Sequence, residues 1–455
     1  MLSDQPAVET ELSTDVVVIG GGLAGLAAAI HLSRSGLEVI CLEPRESFSK
    51  IVGESLDWSA PQLFAELGLP IELLVDSGAA TLKRHITIVT VDGKWKEYLP
   101  GAWLEKRPWN VERVTLHLDR QQVHVMLQES AAAQGIVTLR ERATGFETCE
   151  GRIVSVQTSG RRSIRPRWVI DASGAAASVL GREFNLASAA YGPRKIAMWA
   201  HFPTAEWAEG TTLYTLSSEG EYMEWIWEIP IRPGVSSIGY VAPGSKAKIG
   251  RAAGLSNAEL LMRQMRRFAR LNLIAEQSPE PRIATTSYLC RTYSGVCGAN
   301  WIIIGEAASQ SDPITGNGVT AALRHAQEGS ELIVRNRHRE RIPALARFAF
   351  NLRVSGMGRF FNSLIEKLYY ESPLRSALGI FLTAEVYTIP AWTGNLVYAR
   401  TRPRKIAGSL VLCATTITLR AAASGLFLVA SALRSRRKTS SRSRLISVAL
   451  DERSS

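Results

Sequence analysis

The run Asp15-Val-Val-Val-Ile19 passes directly into Gly20-Gly21-Gly22-Leu23-Ala24-Gly25, and that junction constrains the fold more than any other part of the chain. An unbroken β-branched segment reads as a strand buried on both faces, as in parallel sheets covered by helices. Ala27, Ala28, Ala29 and Leu32 continue it as a helix stopping near Gly36, and Leu37–Leu42 reads as a second strand ending at Glu43. Strand, G-x-G-x-x-G, helix, strand and acid within about 30 residues form a dinucleotide-binding unit. Gly20 makes the tight turn, Gly22 lets the backbone approach a pyrophosphate, and Gly25 lets the helix close on the strand. Ala24 lies in the same loop, and the helix N-terminus offers amides and a positive dipole to the phosphates. Glu43 is placed to accept hydrogen bonds from an adenosine ribose. The fingerprint alone does not separate NAD from FAD.

Two later segments repeat the design. Trp168-Val-Ile-Asp171-Ala-Ser173-Gly174 is an apolar strand ending in a small-residue turn, and Trp301-Ile-Ile-Ile304-Gly305-Glu306 is another. The latter continues through Asp312-Pro313-Ile-Thr315-Gly316-Asn317-Gly318 into a helix. In order and spacing the three segments resemble those of FAD-dependent monooxygenases of the aromatic-hydroxylase type, over residues 15–335. The resemblance implies FAD as cofactor and an α/β fold: a Rossmann-type FAD-binding domain with a parallel sheet, a mixed β-sheet substrate domain and a helical C-terminal region. It also implies that Glu306, next to Gly305, binds the ribityl chain. Pro313, Gly316 and Gly318 would line the isoalloxazine ring, and Arg120 would contact the cofactor phosphates. Glu306 stands where the family usually has Asp, and Ser173 where it usually has Thr.

Three further features resemble the flavin-dependent halogenase branch. Gly53-Glu54-Ser55 follows the second strand, Lys83 falls where those enzymes carry a catalytic Lys, and Trp225-Ile-Trp227-Glu-Ile229-Pro230 matches W-x-W-x-I-P. On a strand Trp225, Trp227 and Ile229 share one face and Glu228 takes the other, so two indoles would wall a substrate cavity. Thr315 occupies the position where tryptophan halogenases carry a Glu, and D-P-x-T-G-x-G is closer to geranylgeranyl-reductase-type flavoproteins.

The leading expectation is a halogenase-like monooxygenase in which a C4a-hydroperoxyflavin oxygenates an electron-rich aromatic or apolar substrate. Three alternatives stay open: a halogenase using reduced FAD, halide and O2; a geranylgeranyl-reductase-like flavoprotein; and a non-catalytic flavin-binding maturation or scaffold protein. No second G-x-G-x-x-G follows a strand, so electrons are expected from docked NAD(P)H or a separate flavin reductase. The expected substrate is a small molecule or a group held on a carrier or peptide.

Charge bears on location rather than chemistry. Of the formal +11, residues 401–455 hold eleven Lys and Arg against Asp451 and Glu452, which leaves a nearly neutral body. That distribution argues against nucleic acid as a partner. Ile406–Leu433 is apolar apart from Arg420 and is flanked by basic clusters, which suits an anionic membrane surface better than a span. Met1–Thr14 has no apolar core, so no cleaved leader is expected; with five scattered cysteines expected as reduced, buried, structural thiols, the expected setting is cytoplasmic, at most peripheral to the membrane. No cysteine spacing suggests a metal site. His85, His117, His124 and His201 are candidates for acid–base work, but no spacing pairs them with a carboxylate.

The expected division is an FAD-binding domain from 1–60, 111–185 and 285–340, and a substrate domain from 61–110 and 186–284. A helical region at 341–400 and the apolar, basic tail at 401–455 complete it.

Overall fold

Val16, Val17 and Val18 are fully buried in the strand Thr10–Ile19, which pairs in parallel with Arg162–Asp171 on one side and Val39–Leu42 on the other. The computed structural model describes residues 10–46, 53–100, 102–106, 113–175, 178–205, 209–216, 222–278, 280–371 and 380–381. The sheet runs Val137–Leu139, Val39–Leu42, Thr10–Ile19, Arg162–Asp171, Arg152–Thr158, Ala143–Cys149, and Trp301–Ile303 pairs with the carboxyl end of Arg162–Asp171. The carboxyl ends of three parallel strands therefore meet, and each opens into one of the glycine-bearing loops read from the sequence. Such a switch point is where open α/β sheets bind ligands. The helix Leu23–Ser33 and the later helix Gly318–Arg335 pack together over this sheet.

An eight-stranded sheet forms the second layer: Ser309–Gln310, Ala284–Tyr293, Ser188–Pro203, Val235–Pro243, Trp225–Arg232, Gly210–Thr215, His85–Thr90 and Trp95–Tyr98. All pairs are antiparallel except Gly210–Thr215 with His85–Thr90, so the sheet is mixed as expected. Alternation sorts its faces. Met198, Phe202, Ile226 and Ile238 pack toward the helical segment at 244–277, while Trp199, Trp225, Trp227 and Ile229 join a separate cluster with Ile314, Phe360 and Tyr370. Ala80–Lys83 and Thr115–Leu118 form a small antiparallel ribbon that contacts the Trp225–Arg232 strand.

Three details differ from the sequence reading. Ser256-Asn-Ala-Glu259 reads in the sequence as a capping box opening a helix to about Leu273; the box forms, but its helix ends at Met265 and another begins at Ala269, because Phe268 takes an extended conformation and buries its ring. Leu63, Phe64, Leu67 and Leu74, inside the stretch expected for the substrate domain, pack in the core of the nucleotide-binding sheet. Cys149 is exposed, whereas Cys41, Cys290 and Cys297 are buried; all four are free thiols.

Residues 344–370 are helical as expected, with π-helical turns at Leu352–Gly356 and Glu366–Tyr370. The apolar segment and basic tail lie outside the described residues. Among the described residues no helix is long and apolar enough to cross a membrane.

Candidate functional site

One cavity of about 650 Å3 runs between the two sheets, and residues from every sequence motif line it. Its nucleotide end is built by Gly22, Leu23, Ala24, Arg45, Arg120, Ser173 and Gly174. Gly20 turns the chain with φ near 104°, and a Cβ on Gly25 would lie 1.8 Å from the Gly20 carbonyl oxygen, so both glycines serve the fold. A Cβ on Gly22 would meet nothing within 4 Å and would project into space that a pyrophosphate can fill. Glu43 is not on the cavity wall. Its carboxylate accepts from Gly21 N at 2.8 Å and from Arg45 Nε at 2.8 Å, so Arg45 faces the cavity in front of it. Burial opposes the charge on Glu43, but those bonds outweigh it and hold its pKa below the ordinary range.

Arg120 opens the helix Arg120–Ala133, capped by Asp119, and donates to Gly53 O at 3.0 Å. Burial lowers its pKa, against the pull of Glu306 and Glu54. Glu306 lines the cavity beside the turn at Gly305, and burial raises its pKa against the opposing field of Arg120. The loop after it places Pro313, Gly316 and Gly318 on the wall, and Asp312 caps the turn by accepting from Ile314 N at 3.1 Å. Asn317 Oδ1, at the start of the next helix, is buried with no hydrogen-bond partner among the described residues. A glycine-lined helix start, two cations, an accessible carboxylate and an open amide loop fit FAD.

At the opposite end the indoles of Trp199, Trp225 and Trp227 make an apolar wall, with Trp225 and Trp227 centroids 5.8 Å apart. Glu228 points to the other face, where it accepts from Tyr214 and Arg270. Lys83 lines the same cavity and is only 2% exposed. Its Nζ donates to Ser55 Oγ and Leu56 O at 2.8 Å each and lies 4.8 Å from the Trp58 ring centroid. Burial pulls its pKa down to about 7, partly offset by Asp57. The Ser55 segment reaches it because Leu118 N bonds Glu54 O and Leu56 N bonds Leu116 O, strapping Gly53-Glu54-Ser55 along Thr115–Leu118.

Two arrangements escaped the sequence reading. His201 Nε2 lies 3.1 Å from the buried Glu54, and His85 lies 3.7 Å from Glu97, so partners exist that no local spacing reveals. His124 lines the cavity with its pKa lowered to about 4 by burial and by Arg120. Behind the Pro313 loop, Lys195 is 1% exposed and bonds Asp312 at 3.3 Å and Glu366 at 3.0 Å. Tyr288, Tyr370 and Tyr222 donate to the same two carboxylates. Burial opposes the charge of Lys195, yet Asp312 and Glu366 raise its pKa above the ordinary value. The one sequence signal for this cluster was Asp312, inside a recognised motif. Among the described residues no group of His, Cys, Asp and Glu could hold a metal ion.

Known proteins share this framework. The family model for tryptophan halogenase matches residues 105–372, and that for lycopene cyclase protein matches residues 15–194. A 1H-pyrrole-2-carbonyl peptidyl-carrier-protein brominase of Pseudoalteromonas luteoviolacea is 26% identical over 339 residues, 70% of this chain and 77% of that protein. The solved structure of a flavin-dependent brominase superposes with a TM-score of 0.64 at 20% identity, covering 86% of this chain and 99% of the other. A probable FAD-dependent monooxygenase from Pseudomonas aeruginosa gives 0.66 at 19%, covering 81% and 100%.

Proposed function

Because the chain belongs to the tryptophan halogenase family, within the FAD-dependent monooxygenase superfamily, and takes FAD as its cofactor, we propose that it is a halogenase using reduced FAD, halide and O2 on an electron-rich arene. The observation that carries this reading is Lys83: an amine buried in the wall of the cavity that the flavin loops and three indoles also line, with its pKa lowered to about 7. A solvated surface lysine would have neither property. The relatives favour halogenation over the oxygenation expected first from the sequence.

The residues expected to hold FAD are Gly22, Ala24, Arg45 and Arg120 at the pyrophosphate, Glu306 at the ribityl chain, and Pro313, Gly316 and Gly318 at the ring. When bound and reduced, FAD with O2 supplies the oxidising equivalents that turn halide into an electrophilic halogen. The protein's own part is to receive that species and aim it. Lys83 meets it as amine or ammonium, both populated near neutral pH, and holds it against the indole wall. Trp225, Trp227 and Ile229 offer an apolar surface of tilted rings for the arene, which keeps the electrophile from spending itself on water. A carbon–halogen bond forms as the oxygen–halogen bond breaks, and the arene proton and departing hydroxide end as water. Thr315 supplies no carboxylate at the position where tryptophan halogenases carry a Glu, which suits an arene reactive enough to do without a base there. The carrier-bound pyrrole in the name of one relative supports a tethered, electron-rich ring. Electrons for FAD would come from a separate flavin reductase or from NAD(P)H.

The test supplies reduced FAD, O2 and candidate pyrroles, phenols and indoles, with bromide or without. Lys83→Ala should abolish halogenated product while flavin still binds and oxidises; product that ignores halide would refute the reading.

A further inference from the structure

Lys83 heads a hydrogen-bond chain whose direction can be worked out from its far end. Thr81 Oγ1 lies 2.6 Å from Pro230 O, which can only accept, so the Thr81 proton is committed there. The 3.3 Å contact between Thr81 Oγ1 and His117 Nδ1 then has His117 as donor. His117 is fully buried beside Lys83 and His85, and burial with those neighbours keeps it neutral. With its proton on Nδ1, its Nε2 must accept. Thr211 Oγ1, 3.0 Å away, is that donor. Having spent its proton, Thr211 accepts from Ser55 Oγ at 2.7 Å, and Ser55 Oγ is left to accept from Lys83 Nζ at 2.8 Å. Each step follows from one hydroxyl having one proton.

We infer that Thr81, His117 and Thr211 are positioning residues for Lys83: together they hold the Ser55 hydroxyl as an acceptor, so that it cannot turn its proton onto the lysine nitrogen and cap it. The inference rests on reading Lys83 as the reacting amine. Thr211 lines the cavity, but Thr81 and His117 do not, so they act through the chain and not by touching substrate. Breaking the chain frees Ser55 to donate to the neutral amine. That favours the uncharged form and occupies the electron pair that the electrophile would meet. Other groups also act on these two residues: Asp57 favours the Lys83 ammonium, Leu56 O and the Trp58 ring lie against the Lys83 nitrogen, His85 joins Lys83 in disfavouring protonation of His117, and Pro230 O, which also accepts from His117, favours it.

The experiment measures Lys83 itself. FAD-loaded protein is treated with trace acetic anhydride across a pH series, and acetylation of the Lys83 peptide is read by mass spectrometry. Thr211→Val and Thr81→Val each remove a hydroxyl at nearly constant volume, at opposite ends of the chain. Each should lower the Lys83 midpoint by about one pH unit, a tenfold change in the ammonium-to-amine ratio. Thr211→Ser and Thr81→Ser should restore it, with the flavin spectrum unchanged throughout. Midpoints that stay at the wild-type value, rise, or fail to return with serine would overturn the inference. No halide or arene is present, so the two readings fail separately. A shifted midpoint without any halogenated product sinks the proposed function, and halogenation with unmoved midpoints sinks the positioning role.

Discussion

The hydroxyl of Tyr370 lies 2.8 Å from Asp312 Oδ1 and 2.8 Å from Trp225 Nε1, donating to the carboxylate and accepting from the indole. One phenol, on the π-helical turn Glu366–Tyr370, thus ties a wall of the cavity to the loop that carries Pro313 and Gly316. Tyr370→Phe should leave the Trp225 N–H unpaired in a buried site and cost about 1–3 kcal/mol. Denaturant unfolding checks this, and the indole fluorescence should shift as Trp225 loses its partner. Unchanged stability and emission would show that the bridge is idle.

Lys195 and Lys83 are both buried, yet their linkage to pH has opposite signs. The folded-state pKa of Lys195 is raised, so its contribution is fully present below the unfolded value of about 10.4 and is lost as pH rises through the folded value. Lys195→Met leaves Asp312 and Glu366 facing each other without their cation, at a cost of about 3–5 kcal/mol near neutral pH. Adding Glu366→Gln should recover part of that loss. The alkaline limb of the stability profile should flatten in the single variant.

Lys83 runs the other way. Its folded pKa of about 7 lies below the unfolded value, so the unfolded chain binds more protons across that interval and stability rises with pH. Lys83→Met should therefore be more stable than wild type at about pH 6, and the margin should narrow toward about pH 10. Unfolding in parallel buffers measures the difference, and a margin independent of pH would contradict burial of the amine.

The glycines separate folding from binding. Gly22→Ala adds a methyl that meets no protein atom but replaces the N-cap of the first helix, so apo-protein stability should fall by no more than about 1 kcal/mol while FAD affinity falls about tenfold or more. Gly25→Ala drives a methyl into the Gly20 carbonyl and should prevent folding at ordinary temperature. Titration with FAD and thermal unfolding distinguish the two outcomes.

What the sequence disclosed was whatever chemistry keeps within one stretch of chain. The Gly20–Gly25 loop, the capping box at Ser256 and the shared face of Trp225 and Trp227 all rest on spacings of a few residues, and all are present. Glu43 was read as a ribose ligand because it ends the second strand, but only folding shows that Arg45 engages it and takes the cavity wall. The partners of Lys195 lie 117 and 171 positions away, and those of His117 lie 36 and 94 away. No local pattern announces such pairs. Lys83 was visible as a position, but its burial was not, because that depends on the Ser55 segment folding over it.

The reaction proposed for this cavity is the making of a carbon–halogen bond. Purified protein with FAD, a flavin reductase, NADH, O2 and an electron-rich pyrrole is supplied with bromide, and the products are examined by mass spectrometry. Wild-type protein should give a product bearing the paired bromine isotopes and Lys83→Met none, although both bind and reoxidise FAD. An oxygenated product formed equally with and without bromide would contradict the proposed reaction.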